Sequence, residues 1–522
     1  MNEGQLAASR FEPLNVSFVG GASPNLDEAW RILAASTLFR RSIELLSTTN
    51  ELTFRYFLAT CGRTGWRGSM SAAIDFTYSY AFPSNVQQSV KGKPQLALAT
   101  CNADHAQPHF FDGKVRQPRM LGEMLYVLSD VVRTHFFLPR PAILDPVVTS
   151  NEEMLRLEGF SGCCGVYARV DLPASVFEGE CKGRGTTNVD FNNDMRAALL
   201  RLRDEEDVEF AVGADEVVLS RDGAKTIEKK VKLPLRWIKG FSEVQAYQPR
   251  LEPRMEVTAA EGLRFVRGLP KGARPKMPSY AIPSGRSIRL TQRNQKGAVP
   301  ILGTHRVKVI EPLLLRAKGL RVWSDDESGA SAWEIVYPEG TFFLMISPEV
   351  FRGFSGEGQL LRTLATPPPE ATIAKVRAAL KWQSQVDLEH LARDIGASGS
   401  EVEAALGILG TRGLAGYDAI NEHYFHRELP FDLAKVEEMQ PRLGNARKLI
   451  EAGKVRQVGG ASDLAKFEVD GTGTVHLVTL SEDGDSCTCP WFSKYLGQRG
   501  ACKHVLAATL LMQDEKTGSE DL

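Results

Sequence analysis

The sequence predicts a multidomain protein of the α+β class, and three observations lead to that prediction. First, 522 residues exceed what one hydrophobic core organises, since domains usually hold about 100–200 residues. Second, hydrophobic residues make up 43% and charged residues 24% of the chain, which is typical of globular proteins. Third, helix-type and strand-type patterns are mixed over residues 1–365, whereas short helices dominate directly after them.

Residues 1–365 are predicted to form a mixed α/β N-terminal body of one or two domains. Two of its segments have helical periodicity, and others alternate aromatic or apolar residues with small ones, as strands do. No repeat of about 20–50 residues is visible, so a solenoid or a propeller is not expected. The predicted helices are Glu28–Leu45 and Arg119–Phe137, and the predicted strands and hairpin are Ala72–Ala81, Gln95–Thr100, Val208–Ser220 and Val231–Phe241.

A run of prolines at Pro367–Pro369 is predicted to end the body, because prolines continue neither a helix nor a central strand and favour an extended spacer. The pattern after it is typical of a winged-helix-like domain over residues 371–440, with three short helices and a small hairpin. The predicted elements are a helix over Ile373–Leu380, a second from Asp387, a third from a Ser400–Glu403 capping box to a cap at Gly413, and strands over Leu414–Tyr417 and His423–His426.

Docking of another protein, or a structural role, is the favoured interpretation of this winged-helix-like domain. In DNA-reading domains of this kind the start of the third helix meets the bases, and Lys or Arg contacts the phosphates. Here that start carries Glu401 and Glu403, whereas the basic Arg412 lies at the far end. Carboxylates would repel phosphates, so DNA binding by this element is the weaker alternative.

Charge and hydropathy favour a cytoplasmic protein. The formal net charge is −1, so the whole molecule has no electrostatic preference for nucleic acid or anionic lipid. The N-terminal residues show no basic-then-apolar secretion pattern, and no apolar run approaches the roughly 18–20 residues that span a bilayer. Thiols stay reduced in the cytoplasm, so clustered cysteines there indicate a metal site or catalysis before disulfides.

Three of the chain's eight cysteines and one of its nine histidines are gathered near the C-terminus. Cys487 and Cys489 are two apart, so both sulfurs face the same side of an extended segment. Cys502 and His504 stand at the start of a predicted helix, where the positive end of the helix dipole favours a thiolate. Three sulfurs and one imidazole, with no open position, suit a tetrahedral structural Zn site.

The order Cys-x-Cys, a gap and Cys-x-His resembles the SWIM zinc finger family over Phe467–Gln513, including Pro490–Trp491 and the run Cys502–Ala507. The resemblance implies a C-terminal ββα zinc finger, placed at residues 455–513, in which the four residues above are the ligands. SWIM fingers occur in transposases, chromatin-remodelling ATPases, recombination factors and ubiquitin-pathway proteins, and are associated with DNA or protein binding. The finger alone therefore does not fix the function.

The order of body, wing-like domain and finger also resembles bacterial SWIM proteins that are found with MoxR-type AAA+ ATPases and von Willebrand factor A proteins. This resemblance implies a non-enzymatic member of a chaperone-like or conflict-related assembly, with one of those proteins as its partner. The leading hypothesis is accordingly a zinc-binding adaptor or scaffold that engages protein partners through the finger and the wing. No G-x-x-x-x-G-K-[ST] loop is present, so a remodelling ATPase is not expected.

A basic stretch supports the rival hypothesis of a nucleic-acid-binding protein. From Gly262 to Ile310 there are eleven basic residues and no acidic one, which would suit a phosphate backbone. The alternative is a basic surface balanced by acidic segments such as Asp204–Asp207. The residues predicted to contact nucleic acid, from this stretch and from the finger, are Arg286, Arg289, Arg293, Lys494, Arg499 and Lys503.

An enzyme with a site in the body is the third hypothesis, and the sequence favours it least. The Gly-rich Arg352–Gly358 lacks the lysine of a phosphate loop, so a tight turn is predicted there. Two other groups of cysteines and histidines are not expected to bind a metal ion, and buried or turn positions are predicted for them instead. These groups are Cys163–Cys164 with Cys181, and Cys101 with His105 and His109; His423 and His426 are assigned to the wing, with His426 exposed.

Overall fold

The computed structural model describes residues 76–80, 85–88, 94–98, 109–137 and 145–520, except for residues 152, 181–183, 214–228, 234, 271–276, 350–352, 357, 430–439, 462–463 and 482–483. By its contacts the chain divides into Met1–Ala73 and Ile74–Leu522, and every described residue belongs to the second unit. The predicted helix Glu28–Leu45 and part of the predicted strand Ala72–Ala81 lie outside the described residues. None of the described helices is long and apolar enough to cross a membrane.

The body consists of strands and helices in mixed order. Its helices are α1 (Pro118–Arg133), α2 (Asn193–Leu199), α3 (Leu235–Tyr247), α4 (Ala259–Gly268) and α5 (Leu360–Ala365). Its strands are β1 (Phe76–Tyr80), β2 (Asn85–Gln88), β3 (Pro94–Leu98), β4 (His109–Val115), β5 (Val147–Ser150), β6 (Met154–Phe160), β7 (Val166–Pro173), β8 (Phe177–Glu180), β9 (Gly185–Asn188), β10 (Glu209–Gly213), β11 (Lys229–Leu233), β12 (Glu252–Thr258), β13 (Ser279–Ser284), β14 (Ser287–Thr291), β15 (Val299–Ile301), β16 (Gly319–Ser324), β17 (Ser331–Tyr337) and β18 (Gly340–Ile346).

An eight-stranded antiparallel sheet, in the order β12-β16-β17-β18-β7-β6-β5-β9, is covered on both faces. Strand β18 shows how the sequence produces this. Phe342, Leu344 and Ile346 belong to the hydrophobic cluster that contains the buried face of α1, whereas Phe343 and Met345 belong to the cluster of α3. Because strand side chains alternate between faces, a continuous apolar run such as this one predicts burial on both sides.

Three smaller sheets complete the body. One has five strands in the order β2-β3-β10-β4-β8, with β3 and β10 parallel. Another is the three-stranded sheet β14-β13-β15, whose β13–β14 hairpin carries Arg286 and Arg289 of the basic stretch, and the last pairs β1 with β11. The body is therefore of the mixed α/β type that the sequence predicts.

The individual body predictions had mixed outcomes. The predicted helix Arg119–Phe137 is confirmed as α1, and the predicted strand Gln95–Thr100 as β3. Only the first three residues of the predicted strand Val231–Phe241 belong to a strand, because α3 starts at Leu235. The rest of the prediction was wrong because Pro234 precedes a helical spacing of buried side chains, and proline is common at helix starts. The predicted hairpin Val208–Ser220 begins as β10, and its second half lies outside the described residues.

Three helices and a hairpin follow the proline run, as the pattern predicts. They are α6 (Glu370–Ala379), α7 (Leu388–Ile395), α8 (Gly399–Thr411), β19 (Ala415–Asp418) and β20 (His423–His426). The capping box is Ser398 with Glu401, so the predicted pair Ser400 and Glu403 was wrong by two residues. The end of α7 decides this, because Gly396 adopts the left-handed conformation and closes that helix, which leaves Ser398 as the first residue free to cap α8.

Helix α8 is packed between its neighbours and α3. Ser242 Oγ donates to the Thr411 carbonyl oxygen at 2.7 Å, and the amide of Tyr417 donates to Gln245 Oε1 at 2.7 Å. The exposed side chains near the start of α8 include Glu401 and Glu403. The surface that α8 leaves to solvent is therefore acidic, as expected from the sequence.

Buried charges fix the β19–β20 hairpin to the eight-stranded sheet. Arg169 of β7 is fully buried and donates to Asp418 at 2.6 Å and to Asp171 at 2.8 Å. Arg427, directly after β20, is also fully buried and pairs with Glu158 of β6. Such pairs replace the hydration that each charge loses, so removal of one partner leaves a costly isolated charge.

His426 is buried, and the prediction that it is exposed was wrong. Only 5% of its surface is accessible. Its ring stacks on Trp382 with 4.5 Å between centroids, and its Nδ1 accepts the Trp382 amide hydrogen at 2.7 Å. The hairpin lies against the body, so Tyr424, Phe425 and His426 of β20 are buried, and His423 is partly exposed.

The C-terminal unit is larger than the ββα finger that the resemblance implies. It comprises α9 (Pro441–Glu451), β21 (Val455–Ala461), β22 (Leu464–Asp470), β23 (Val475–Ser481), β24 (Ser486–Cys487), α10 (Pro490–Tyr495) and α11 (Lys503–Glu520). The four strands form one antiparallel sheet in chain order. Its buried side chains, such as Phe467 and Leu506, share a hydrophobic cluster with Leu361 of α5 and Leu409 of α8.

Candidate metal centre

Four ligand-type side chains converge between the finger sheet and α11. Cys487 is held by β24, where it pairs with Val478 of β23. Cys489 caps the start of α10, and Cys502 directly precedes α11. His504 lies in the first turn of α11, so each ligand is fixed by the end of a regular element.

The distances within this group fit one small ion. The Sγ atoms of Cys487, Cys489 and Cys502 and a ring nitrogen of His504 all lie within 4.8 Å of one another. The Cys487 Sγ to His504 Nδ1 distance is 3.8 Å. In a tetrahedral zinc site with Zn–S of about 2.3 Å and Zn–N of about 2.0–2.1 Å, neighbouring ligand atoms lie about 3.5–3.8 Å apart. All four residues are at least 94% buried, so solvent does not compete for the site.

Backbone amides are directed at all three sulfurs, and each such hydrogen bond favours the thiolate, although burial raises the pKa of Cys489. Each sulfur accepts one amide hydrogen at a nitrogen–sulfur distance of 3.4 Å, from Cys489 to Cys487, from Phe492 to Cys489 and from Val505 to Cys502. The hydrogen bond between the Cys487 and Cys502 side chains lowers the pKa of Cys502 and raises the pKa of Cys487. A metal ion would replace the proton that these two sulfurs share.

The donor set therefore fits zinc with four protein ligands and no open coordination position. Three thiolates and a neutral imidazole around Zn²⁺ carry a net charge of about −1. Among the residues that the structure describes, no other group of His, Cys, Asp or Glu could hold a metal ion. A site of this kind stabilises its fold, since zinc binding to finger peptides contributes about 10–16 kcal/mol.

The loop between the two ligand pairs, residues 490–501, packs against the body at the Gly-rich segment Arg352–Gly358. Gly500 lies against Gly358 so closely that an added Cβ would be 2.0 Å from the Gly358 carbonyl oxygen. Gln359 Nε2 donates to the Gln498 carbonyl oxygen at 2.7 Å. Arg442 of α9 holds the same loop, since its Nη1 donates to the Arg499 and Ala501 carbonyl oxygens at 2.8 and 3.0 Å.

Arg499 is the loop's own contact with the body. Its guanidinium pairs with Glu349 at 3.0 Å and donates to the Gly356 carbonyl oxygen at 2.9 Å. Its side chain is 16% exposed. The predicted tight turn at Arg352–Gly358 is present as a single 3-10 turn over Gly353–Gly356, and its sequence gave no sign that the finger would dock there.

The residues predicted to contact nucleic acid lie on different elements. Arg286, Arg289 and Arg293 are exposed on and directly after the β13–β14 hairpin. Lys494 is exposed on α10 and lies 5.0 Å from the Tyr495 ring centre, and Lys503 is half-buried at the start of α11. Arg499 differs from them, because its guanidinium is engaged with the body.

The basic stretch is only partly a surface feature. Arg306 is fully buried and donates to the Gly165 carbonyl oxygen at 2.9 Å. Arg267 pairs with Glu311 at 3.0 Å, and Arg264 pairs with Glu261 at 2.9 Å. Within the described part of the basic stretch, four cations face solvent and have no hydrogen-bonding or ion-pair partner for their side chains. They are Arg286, Arg289, Arg293 and Lys296.

The other cysteines do not form a metal group within the described residues. Cys163 and Cys164 are buried, and the Cys164 thiol donates to the Arg236 carbonyl oxygen at 3.3 Å, as expected of packed thiols. Cys101, His105 and Cys181 lie outside the described residues. His109 begins β4, so helical spacing does not apply to it.

Comparison with protein families identifies the C-terminal segment. The family model described as SWIM zinc finger matches residues 476–512, which include all four ligand residues. Comparison with curated proteins gave no match. Among solved structures, this chain is similar to a proliferating cellular nuclear antigen from Entamoeba histolytica. The alignment covers 46% of this chain and 99% of that chain, at 7% sequence identity and a TM-score of 0.32. A chain of a PCNA2–PCNA3 complex from Sulfolobus tokodaii is similar as well. That alignment covers 46% of this chain and 100% of that chain, at 9% sequence identity and a TM-score of 0.30.

Proposed function

We propose that this protein is a cytoplasmic, zinc-dependent adaptor without catalytic activity, in which the finger binds a protein partner through the outer face of its sheet. The observation that carries the proposal is a group of exposed aliphatic side chains on that face. Val475 is 54% exposed, Leu477 46% and Leu464 40%. Apolar side chains grouped on one surface are typical of protein interaction sites.

The strand register places these side chains on one face of the sheet, with Val475 and Leu477 towards one end of the β22–β23 pair and Leu464 at the other. Leu464 lies opposite Ser481, Leu477 opposite Glu468 and Val475 opposite Asp470, while the alternate positions of both strands point into the core. Arg456 of β21 pairs with Asp470 at 2.8 Å on the same face. Lys466 is exposed on this face as well, so charges of both signs lie among the aliphatic side chains, which suits a protein surface.

In this proposal the metal centre maintains the structure of the binding surface. Its ligands connect β24 with the starts of α10 and α11, so the outer face of the sheet keeps its shape only while zinc is bound. The resemblance to bacterial SWIM proteins makes a MoxR-type AAA+ ATPase or a von Willebrand factor A protein the first partner to try, although the comparisons give no support for either. The three helices and hairpin of residues 371–440 are interpreted as a winged-helix-like element with a structural role, since α8 and β20 are packed against the body.

The test is reconstitution with purified candidate partners and three forms of the zinc-loaded chain. Leu477→Asp places a charge in the aliphatic group and should abolish complex formation on size-exclusion chromatography. Met277→Asp is the matched control, because Met277 is 73% exposed in the body and should not affect binding. Equal binding by both variants would contradict the proposed surface, provided that each variant retains its zinc.

A second candidate function is nucleic-acid binding through the β13–β14 hairpin and the residues directly after it, favoured by the four exposed cations Arg286, Arg289, Arg293 and Lys296. Anisotropy of labelled single- and double-stranded DNA, from about 50 to 200 mM salt, measures phosphate contacts by the salt slope. The Arg289→Glu/Arg293→Glu double variant should weaken such binding, whereas Arg264→Glu, whose cation is already paired, should have a smaller effect. Absence of binding at the lowest salt would exclude this candidate.

A further inference from the structure

Trp382 adopts a backbone conformation that a bulky side chain rarely takes. Its φ is +62°, in the left-handed region, where the Cβ atom is repelled by the neighbouring backbone. Besides glycines, only Cys164, Glu422 and Leu496 share a positive φ within the described parts of the chain. Such a conformation persists only where the surrounding structure holds it, so the contacts of Trp382 show what does so.

His426 of β20 holds the segment that contains Trp382, which connects α6 to α7. The two rings are stacked, with 4.5 Å between their centroids and 21° between their planes. The Trp382 amide donates to His426 Nδ1 at 2.7 Å, and the His426 amide donates to the Gln383 carbonyl oxygen at 3.0 Å. One histidine therefore contacts both the ring of Trp382 and the backbone on either side of it.

The hydrogen bond between the Trp382 amide and the imidazole requires a neutral ring. A backbone amide can only donate, so His426 Nδ1 is the acceptor and the ring proton is on Nε2. The Nε2 atom lies 3.6 Å from Glu428 Oε1. A second proton would occupy Nδ1 and point at the Trp382 amide hydrogen, so protonation removes this hydrogen bond.

The surroundings of His426 keep its ring neutral at pH 7. Burial lowers the pKa of His426, which is 5% exposed, whereas the charge of Glu428 raises this pKa and that of Arg377 on α6 lowers it. Ala415, the residue opposite His426 on β19, carries no charge. Because the pKa is lowered, the contribution of the neutral ring to stability is present above pH of about 6.5 and is lost as the pH falls through the lowered pKa.

We propose that His426 and Trp382 form a pH-sensitive latch, which holds the segment between α6 and α7 on the β19–β20 hairpin while the imidazole is neutral and releases Trp382 when it is protonated. Once its amide has no acceptor, Trp382 leaves the left-handed conformation and its strain is relieved. The Val386 amide donates to the Tyr424 carbonyl oxygen at 2.8 Å without help from the imidazole, so the release is confined to residues 381–383. It exposes an indole ring beside a cationic imidazole, so the surface of this three-helix element depends on pH.

Nitrogen-15 spectra of the zinc-loaded full chain, labelled on histidine and tryptophan, test the latch between about pH 8 and pH 5. Exchange of the Trp382 amide with solvent, corrected for its intrinsic pH dependence, should become about tenfold faster or more as His426 is protonated. His426→Asn keeps an acceptor oxygen near the position of Nδ1 but cannot titrate, so it should show no such change. His390→Asn is the matched control, since His390 is an exposed histidine of α7 beside Asp394, and this variant should respond as the unaltered chain does.

Glu428→Gln gives a second readout that a merely structural role would not move. The charge of Glu428 raises the pKa of His426, so its loss should shift the release of Trp382 to lower pH at unchanged zinc content. Three results would overturn the proposal: no protonation of His426 before the chain unfolds, protonation of His426 without faster exchange at Trp382, or the same response in His426→Asn as in the unaltered chain. The third result includes a response caused by loss of zinc in acid, because that loss does not depend on His426.

Discussion

Substitution of Gly500 by alanine tests the contact between the metal loop and the body. Gly500 has a φ of +76°, and its Cα faces the Gly358 carbonyl oxygen with no room for a side chain. Gly497, in the same loop, has a φ of +81° but no atom within 4 Å of an added Cβ. Gly497→Ala therefore reports the backbone strain alone, whereas Gly500→Ala reports strain together with loss of the contact.

The magnitude of each effect follows from these two situations. Left-handed backbone costs an alanine roughly 1–2 kcal/mol, which is the expected destabilisation by Gly497→Ala. In Gly500→Ala the loop must also move from the body and weaken the Gln359–Gln498 and Arg499–Gly356 hydrogen bonds. Each bond contributes roughly 0.5–1.5 kcal/mol, so the total is roughly 2–5 kcal/mol.

Urea unfolding of the zinc-loaded variants, followed by circular dichroism, measures both free energies. A chromophoric chelator added to the folded proteins measures how fast zinc leaves. Gly500→Ala should be less stable than Gly497→Ala by roughly 1–3 kcal/mol and should release zinc faster. Equal stability and equal release rates in the two variants would refute the docking of the loop on the body.

Three further predictions concern the ligands, the buried charges and the capping box. Cys502→Ser should lose most of the bound zinc, measured by atomic absorption, while the body keeps its folded circular dichroism signal. Asp418→Asn removes the negative charge that pairs with the buried Arg169 guanidinium, so it should lower the unfolding free energy measured in urea by about 3–5 kcal/mol. An unchanged unfolding free energy would contradict the buried ion-pair network. The backbone and side chain of Ser398 lower the pKa of Glu401 by hydrogen bonding, so its contribution to stability is present above pH of about 4.5 and lost as pH falls through the lowered pKa. Glu401→Ala should therefore destabilise the protein more at pH 7 than at pH 3, and an equal loss at both pH values would rule out the ionised capping box.

The metal centre was predictable because its chemistry is local in sequence. All four ligand residues fall within Cys487–His504, and their spacing alone predicts one pair on an extended segment and one pair at a helix start. The structure agrees for Cys487, Cys502 and His504, whereas Cys489 follows the strand and caps α10. The same holds for α1 and β3, whose periodicity lies within one element. Patterns of this kind are set by backbone geometry and need no knowledge of distant residues.

The placement of the finger on the body was not predictable, because it depends on contacts between distant residues. Arg499 and Gly356 are 143 positions apart, and Arg169 and Asp418 are 249 apart. A close approach of two glycine backbones leaves no periodic signal in either segment. The capping box was misplaced for a local reason, since Ser398 and Ser400 are each followed three residues later by glutamate and only the end of α7 decides between them.

Zinc-edge X-ray absorption of the purified full chain tests the central claim, which is a buried Cys3His zinc centre that organises the finger. The expected spectrum corresponds to about three sulfur ligands at about 2.3 Å and one nitrogen at about 2.0–2.1 Å, with about one zinc per chain. Loss of one sulfur in Cys502→Ser, in whatever zinc remains, would agree with that assignment. A spectrum dominated by oxygen or nitrogen ligands, or a chain that purifies folded without zinc, would contradict it.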